Sequence, residues 1–441
     1  MITSKIFRFR TTSTILVGTF YRTAKFKNND KTEQEQMLST SSTTAAGGAG
    51  AAVSTHYNVD VAIVGGGLAG LMIANELEKK QQEQQHQSYK LFEARDILGG
   101  RLVNDNGPTD DIDLGGAWFW PPEQELVSGL VQELDIGTFE QAPRHPFMST
   151  RRFDGGAVQL IRKLYERLPD HNVVMNSPIV KCEQIVTSSE SEEKSELCEA
   201  SSSLSSSFGS KKIKLQTSNN SVIYANHVIF CIPPKLIAKH ITFDPPLSAA
   251  KQRAMKESNT WMAGVTKVAL TYSKPFWNAN YEFQNLIGRL PGPAFQLYDS
   301  STDKVSALTA FTLATQPGTI DNTDEDNVNL AKKVAAQVSQ SFQLLGQTEN
   351  AQNAQSFEKF YIQRWPLEKY ISEETYPKNI QPHPYPVKAL STVEWNGQLL
   401  FGGTETDDSS PGVMEGAIGS AIRCVEQLSK VIEENDEAKS N

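Results

Sequence analysis

Cysteine is scarce and scattered in this 441-residue chain: Cys182, Cys198, Cys231 and Cys424 show no C-x-x-C spacing. Neither a disulfide framework nor a zinc site is indicated, so reduced and mostly buried thiols are expected. There is no run of about 18 apolar residues, hence no expected transmembrane segment. Positive charge is not in excess either, since 42 Lys and Arg face 51 Asp and Glu for a net charge of -9. That balance gives no electrostatic case for nucleic acid. With 39% hydrophobic and 21% charged residues, the composition is that of a globular protein, and the length suggests about two or three domains.

Acids are missing at the start. None precedes Asp30, whereas Lys5, Arg8, Arg10, Arg22, Lys25 and Lys27 stand among Ser, Thr and isolated apolar residues. This is the composition of an organelle transit peptide, mitochondrial or plastid; a disordered tail on a cytoplasmic protein is the alternative. Residues 28–55 are polar, then rich in Ala, Gly and Ser, without periodicity, as in a flexible linker. Residues 1–56 are therefore expected to lie outside the fold, which starts near Tyr57.

What is present is concentrated between Val59 and Arg101. Val59 to Val64 is a short, β-branched apolar run suited to a strand buried on both faces, and it ends in a glycine cluster that opens onto a helical pattern. Gly65, Gly67 and Gly70 keep the G-x-G-x-x-G spacing. The first glycine permits the turn, the second lets a pyrophosphate approach the backbone, and the third lets helix and strand pack closely. The helix start offers free N–H groups and a positive dipole end to phosphate. Glu93 closes a second strand, Tyr89 to Glu93, roughly 20 residues on, where an acid can hold a ribose hydroxyl. Strand, turn, helix, strand and acid together read as a dinucleotide site.

Further along, Asp113 to Pro122 (DLGGAWFWPP) sets Gly115 and Gly116 beside Trp118, Phe119 and Trp120; such residues serve either a pocket wall or a packed core. Arg152 to Leu164 reads as a turn feeding an amphipathic helix, and Val173 to Val186 as one alternating strand. Ser188 to Lys212 is a Ser/Glu-rich stretch too polar to order itself, inserted in a hairpin that resumes at Ile213 to Leu215 and Val222 to Ile232. Trp261 to Tyr272 (WMAGVTKVALTY) alternates as a half-buried strand with Lys267 on one face; by pattern alone that lysine snorkels at a sheet edge. Ala331 to Leu345 is helical in pattern. Trp365, Tyr370 and Tyr376 form another aromatic cluster, followed by PHPYP around His383. Leu399 to Leu428 reads as a buried strand, a polar loop and a long helix opening on small residues, so that two helix N-termini face one cofactor.

These motifs resemble the flavin-containing amine oxidases, the monoamine oxidase and polyamine oxidase superfamily, over nearly all of Tyr57 to Leu428. The carrying stretches are VAIVGGGLAGL with Glu93, EARDILGGR, DLGGAWFWPP, WMAGVTKV and FGGTETDDSSPGVMEGAIGSA. The resemblance implies an α/β fold: a Rossmann-like FAD-binding domain of the glutathione-reductase type with a smaller α+β substrate domain. The former would comprise residues 57–120, 151–240 and 391–430. The latter would comprise a shortened segment 121–150 and residues 241–390, with 431–441 as a polar tail.

It implies FAD held by Gly65, Gly67, Gly70, Glu93, Arg95, Gly100 and Arg101. Gly115, Gly116, Ala117 and Trp118 would lie along the flavin, Val180 at the adenine, and Glu405, Val413 and Met414 near the ribityl chain and ring. Lys267 would hold a water at the hydride-accepting nitrogen, with Trp365 and Tyr376 also in the catalytic site. Thr375 stands where some members carry a flavin-linked cysteine, implying noncovalent FAD. Of the aromatic pair that sandwiches the amine in monoamine oxidases, Tyr376 remains and Val413 replaces its partner. The implied reaction is oxidation of a primary or secondary amine to an imine, with oxygen reoxidising the flavin to give hydrogen peroxide. The partners implied are a small amine and oxygen, with no metal. Two rival readings remain: an FAD-dependent dehydrogenase or desaturase of a larger apolar substrate, and a non-catalytic flavin-binding protein.

Overall fold

The computed structural model describes residues 55–83, 87–104, 112–143, 149–187, 210–277, 281–313, 322–372 and 382–440. The expected transit segment and linker lie outside them up to residue 54, as do 188–209 of the expected insertion and Tyr376.

The first half of the fold is built on one sheet. β1 (His56–Val64) is fully buried from Val61 onward, α1 (Leu68–Gln82) returns along it, and β2 (Tyr89–Phe92) pairs parallel to it with Val61 opposite Tyr89. α2 (Glu125–Glu133) follows, and then β3 (Thr138–Glu140) and β4 (Arg151–Phe153) form a two-stranded antiparallel ribbon. α3 (Val158–Tyr165) packs on α1, where Asn75 Nδ2 donates to the Leu164 carbonyl at 2.9 Å.

The single strand expected over Val173 to Val186 is two. β5 (Val173–Val174) pairs parallel with β2, and β6 (Ile179–Thr187) joins a hairpin with β7 (Ser210–Thr217). The break occurs because Asn176 takes a left-handed φ of 53° and the next amide bonds fold the chain over the end of β2: Asn176 N–H to the Arg95 carbonyl, Ser177 N–H to the Glu93 carbonyl. Since β7 begins at Ser210, the last residues of the expected insertion already belong to the sheet.

β8 (Val222–Phe230) pairs parallel with β1, and the chain continues through α4 (Pro234–His240), β9 (Thr242–Asp244) and α5 (Ala249–Glu257). A second, four-stranded antiparallel sheet starts at β10 (Val265–Tyr272). It is followed by α6 (Glu282–Ile287), β11 (Ala294–Asp299), β12 (Ser306–Leu313), α7 (Asp324–Leu344), α8 (Thr348–Gln355) and β13 (Lys359–Arg364), with strand order β11-β12-β10-β13. The chain then returns through α9 (Lys388–Ser391) to β14 (Leu399–Phe401), which pairs with the Val228–Phe230 half of β8 that β7 leaves open. α10 (Met414–Ser440) closes the fold and continues as helix through the expected polar tail.

The eight-stranded sheet runs β5-β2-β1-β8-β7-β6-β9, with β14 on β8. One of its faces is covered by α1, α3 and α10, through Leu71, Ile73, Leu160 and Ile418; the other packs Val228, Phe230, Ile237 and Met255. Each such fully buried side chain contributes about 1.5–3 kcal/mol. β10 is buried at all eight positions because it is a central strand with neighbours on both sides and material on both faces. Val268, Leu270 and Tyr272 pack under α7 and α8, while Val265 and Lys267 face the other way. Lys267 is therefore not a snorkelling residue at an edge, and the strand is not half-buried.

Candidate cofactor and active site

A cavity of about 550 Å³ runs from the glycine turn after β1 to the second sheet. At the first end, Gly65 has φ 109°, which only glycine adopts without strain, and a Cβ on Gly70 would collide with the Gly65 carbonyl oxygen. The turn thus lies directly on the start of α1. The Glu93 carboxylate accepts from the Gly66 N–H at 2.7 Å and the Arg95 N–H at 2.9 Å, so the acid that ends β2 fixes the turn after β1. Arg95 donates to the Gly100 carbonyl at 3.0 Å, and Gly99 N–H to that of Gly66 at 2.9 Å, which joins the two glycine motifs. Val180 reaches the cavity because of the break between β5 and β6.

In the middle, the strip from Asp113 to Trp118 is held from several sides. Gly116 N–H donates to the Arg101 carbonyl at 3.0 Å, Trp365 Nε1 to that of Leu114 at 3.0 Å, and Lys267 Nζ to that of Gly115 at 2.6 Å. Arg101 spans to the end of the chain, meeting Glu405 Oε1 at 2.7 Å and Oε2 at 3.1 Å, with the Glu405 side chain 1% exposed. Thr404 Oγ1 accepts from Gly412 N–H at 2.8 Å and donates to the Val413 carbonyl at 2.7 Å, setting the start of α10 against the cavity.

At the far end Lys267 is enclosed by rings. Its Nζ lies 5.0 Å from the centre of Trp118 and 4.8 Å from that of Phe311, and Tyr298 packs 4.8 Å from Trp118. Gln141 Oε1 accepts from Trp118 Nε1 at 2.6 Å and so orients the indole. Burial pushes the Lys267 ammonium down to about 7; the Asp113 carboxylate opposes that shift and Arg152 adds to it. Glycine and backbone amides at one end, aromatic rings around a buried amine at the other, suit a ligand with a phosphate half and a flat ring half.

Of the residues expected at the site, Gly65, Gly67, Glu93, Arg95, Gly100, Arg101, Gly115, Gly116, Ala117, Trp118, Val180, Lys267, Val413 and Met414 line this one cavity. Gly70 and Glu405 stand behind it. Trp365 is fully buried and also lies behind, bonding the Leu114 carbonyl rather than facing the cavity. Sequence reasoning missed Tyr298, Phe311, Trp261 and Gln141. The alternation in AFQLYD and SALTAFTL could have marked the strands, but nothing local showed which strand faces would meet Lys267.

The topology and the cavity define a mixed α/β fold with a Rossmann-like, dinucleotide-binding part. The Flavin containing amine oxidoreductase family matches residues 184–429 and the NAD(P)-binding Rossmann-like domain matches 63–134. The chain belongs to the flavin-containing amine oxidoreductases. Amine oxidase [flavin-containing] B of Sus scrofa is 26% identical over 282 residues, 63% of this chain and 47% of that protein. Putrescine oxidase of Kocuria rosea is 35% identical over 82 residues, 19% of this chain and 16% of that protein. The matches thus span less than half the length of these curated relatives. Among solved structures, a wild-type putrescine oxidase bound to putrescine superposes with a TM-score of 0.60 at 16% identity, covering 86% of this chain and 100% of that one. Cyclohexylamine oxidase from Brevibacterium oxydans gives 0.60 at 15% identity, covering 86% and 99%. These likenesses establish the fold. Among the described residues no helix is long and apolar enough to cross a membrane, and no group of His, Cys, Asp and Glu could hold a metal ion.

Proposed function

We propose that the chain binds FAD noncovalently and oxidises a primary or secondary amine to an imine, with oxygen as the electron acceptor. The observation that carries this reading is Lys267, a buried amine at the point where the glycine-lined part of the cavity meets its aromatic part. When bound there, FAD would supply the hydride acceptor and the route by which two electrons reach oxygen to give hydrogen peroxide.

The chain's own residues do the rest. Gly65, Gly67 and the start of α1 hold the pyrophosphate, and Glu93 the ribose; Val180 meets the adenine. Arg95, Gly100 and Arg101 continue the cradle, with Gly70 packing it and Glu405 holding Arg101. Gly115 to Trp118, with Val413 and Met414, line the ring. Lys267 holds a water at the reacting end and, when protonated, stabilises negative charge developing on oxygen. Trp365 acts through Leu114 by fixing that strip. Tyr376 lies outside the described residues and keeps its proposed place at the substrate. The apolar walls favour the neutral amine and exclude bulk water. Residues 57–120, 151–240 and 391–430 then form the cofactor domain, and 121–150 with 241–390 the substrate domain.

Purified protein should be yellow, release free FAD on denaturation, and produce peroxide with members of a broad amine panel. A yellow protein that makes no peroxide and is not bleached by any amine would overturn the activity. Bleaching without oxygen uptake would instead support the dehydrogenase reading.

A further inference from the structure

Beside the start of α10 stands a stacked pair drawn from two distant parts of the chain. The rings of Trp261, just before β10, and His383, before α9, lie 3.9 Å apart at 21°. Both line the cavity, together with Gly412 and Val413. Trp261 is half-buried and His383 is the more exposed of the two. The pair is fixed from both sides. Arg101 Nη1 donates to the Trp261 carbonyl at 3.4 Å, and Gly412, with φ 89°, lies so close that a Cβ there would sit 3.0 Å from His383 Nδ1 and 2.7 Å from Pro384 Cδ. His383 makes no hydrogen bond or ion pair among the described residues, and partial burial holds its ring below the ordinary histidine range, hence neutral near pH 7.

Trp118 and Phe311, farther along the cavity, turn toward the Lys267 ammonium. Val413 offers only an aliphatic side chain. An amine entering the slot beside the start of α10 therefore meets, in His383, a flat, polarisable, uncharged surface. We propose that His383, backed by Trp261, is a substrate-contacting wall that positions the amine and sets the shape of the slot. This rests on the amine-oxidising reading above. A neutral imidazole adds a ring nitrogen able to accept from the amine N–H, which a purely hydrocarbon wall lacks.

The test uses the FAD-loaded full chain and 2-phenylpropan-2-amine, an amine without hydrogen on its α-carbon, which therefore has no hydride to lose. Binding is read from the shift of the flavin's visible absorbance. His383→Ala should weaken binding about tenfold and His383→Phe, which keeps a flat face, within about threefold of wild type. The FAD-to-protein ratio should be equal in all three. Trp261→Ala should weaken binding in the same direction, since it removes the backing of the ring. Equal affinity in wild type and His383→Ala, with amines still bleaching the flavin, would overturn the wall alone. No spectral shift in wild type and no bleaching by any amine would overturn the wall and the activity together.

Discussion

Among the described residues two lysines are fully buried, and they occupy opposite kinds of place. Lys267 faces the cavity, bonded to the Gly115 carbonyl and flanked by Trp118 and Phe311. Lys251, on α5, is sealed in the core: it donates to the carbonyls of Leu390 at 3.0 Å and Thr392 at 2.6 Å and lies 3.9 Å from the centre of Phe401. Burial lowers both to about 7. A buried, neutral-leaning lysine is thus not by itself a site. Access decides: only Lys267 opens onto space that a ligand can fill.

The sharpest break of this comparison is Lys267→Met against Lys251→Met. The former should slow flavin reoxidation by oxygen about 10³-fold with FAD content unchanged, the latter less than about twofold. Stopped-flow mixing with oxygen reads the difference. In wild type the rate should fall as pH rises above about 7, where Lys267 loses its proton, and this dependence should vanish in Lys267→Met.

A third buried charge, Glu405, differs from both lysines in carrying a close ionic partner. Glu405→Gln leaves Arg101 without it and should cost about 3 kcal/mol in urea unfolding. An unchanged midpoint would mean that the pair is dispensable to the fold.

Lys251→Met should cost about 2 kcal/mol near pH 9 by orphaning two buried carbonyls. Between about 7 and the ordinary lysine value of about 10.4, the unfolded chain binds the proton that the folded chain has lost, so wild-type stability rises with pH across that window. Losing Lys251 removes part of that rise, and the penalty should shrink as unfolding is repeated toward about pH 7. A pH-independent penalty would contradict the assignment. The smallest effect belongs to Gln141→Leu, which frees the Trp118 indole and should raise KM for a good amine about fivefold at nearly constant kcat.

The glycine turn after β1 was legible because its shape is written in contiguous residues. Gly65, Gly67, Gly70 and Glu93 act through backbone shape and a short strand spacing, both local in sequence. The ring-lined end of the cavity was not, because it is assembled across long separations: Gln141 reaches Trp118, Trp261 meets His383, and β11 and β12 bring Tyr298 and Phe311 to Lys267. The edge reading of Lys267 failed for the same reason. Alternation assigned its face correctly, but only the pairing of β10 with both β12 and β13 shows that the strand is central. The strand expected across Val173 to Val186 broke at Asn176, where amide bonds to the Arg95 and Glu93 carbonyls outweigh the alternating pattern. Trp365, expected in the catalytic site, donates its indole N–H to the Leu114 carbonyl, a contact across 251 residues that no local pattern announces.

The most direct trial of the account is to reduce wild type, Lys251→Met and Lys267→Met without oxygen, admit oxygen, and follow the return of the flavin colour. Three yellow proteins of equal FAD content are expected, of which only Lys267→Met recolours slowly. A colourless, folded wild type that takes up no FAD, or equal recolouring in all three, would contradict it.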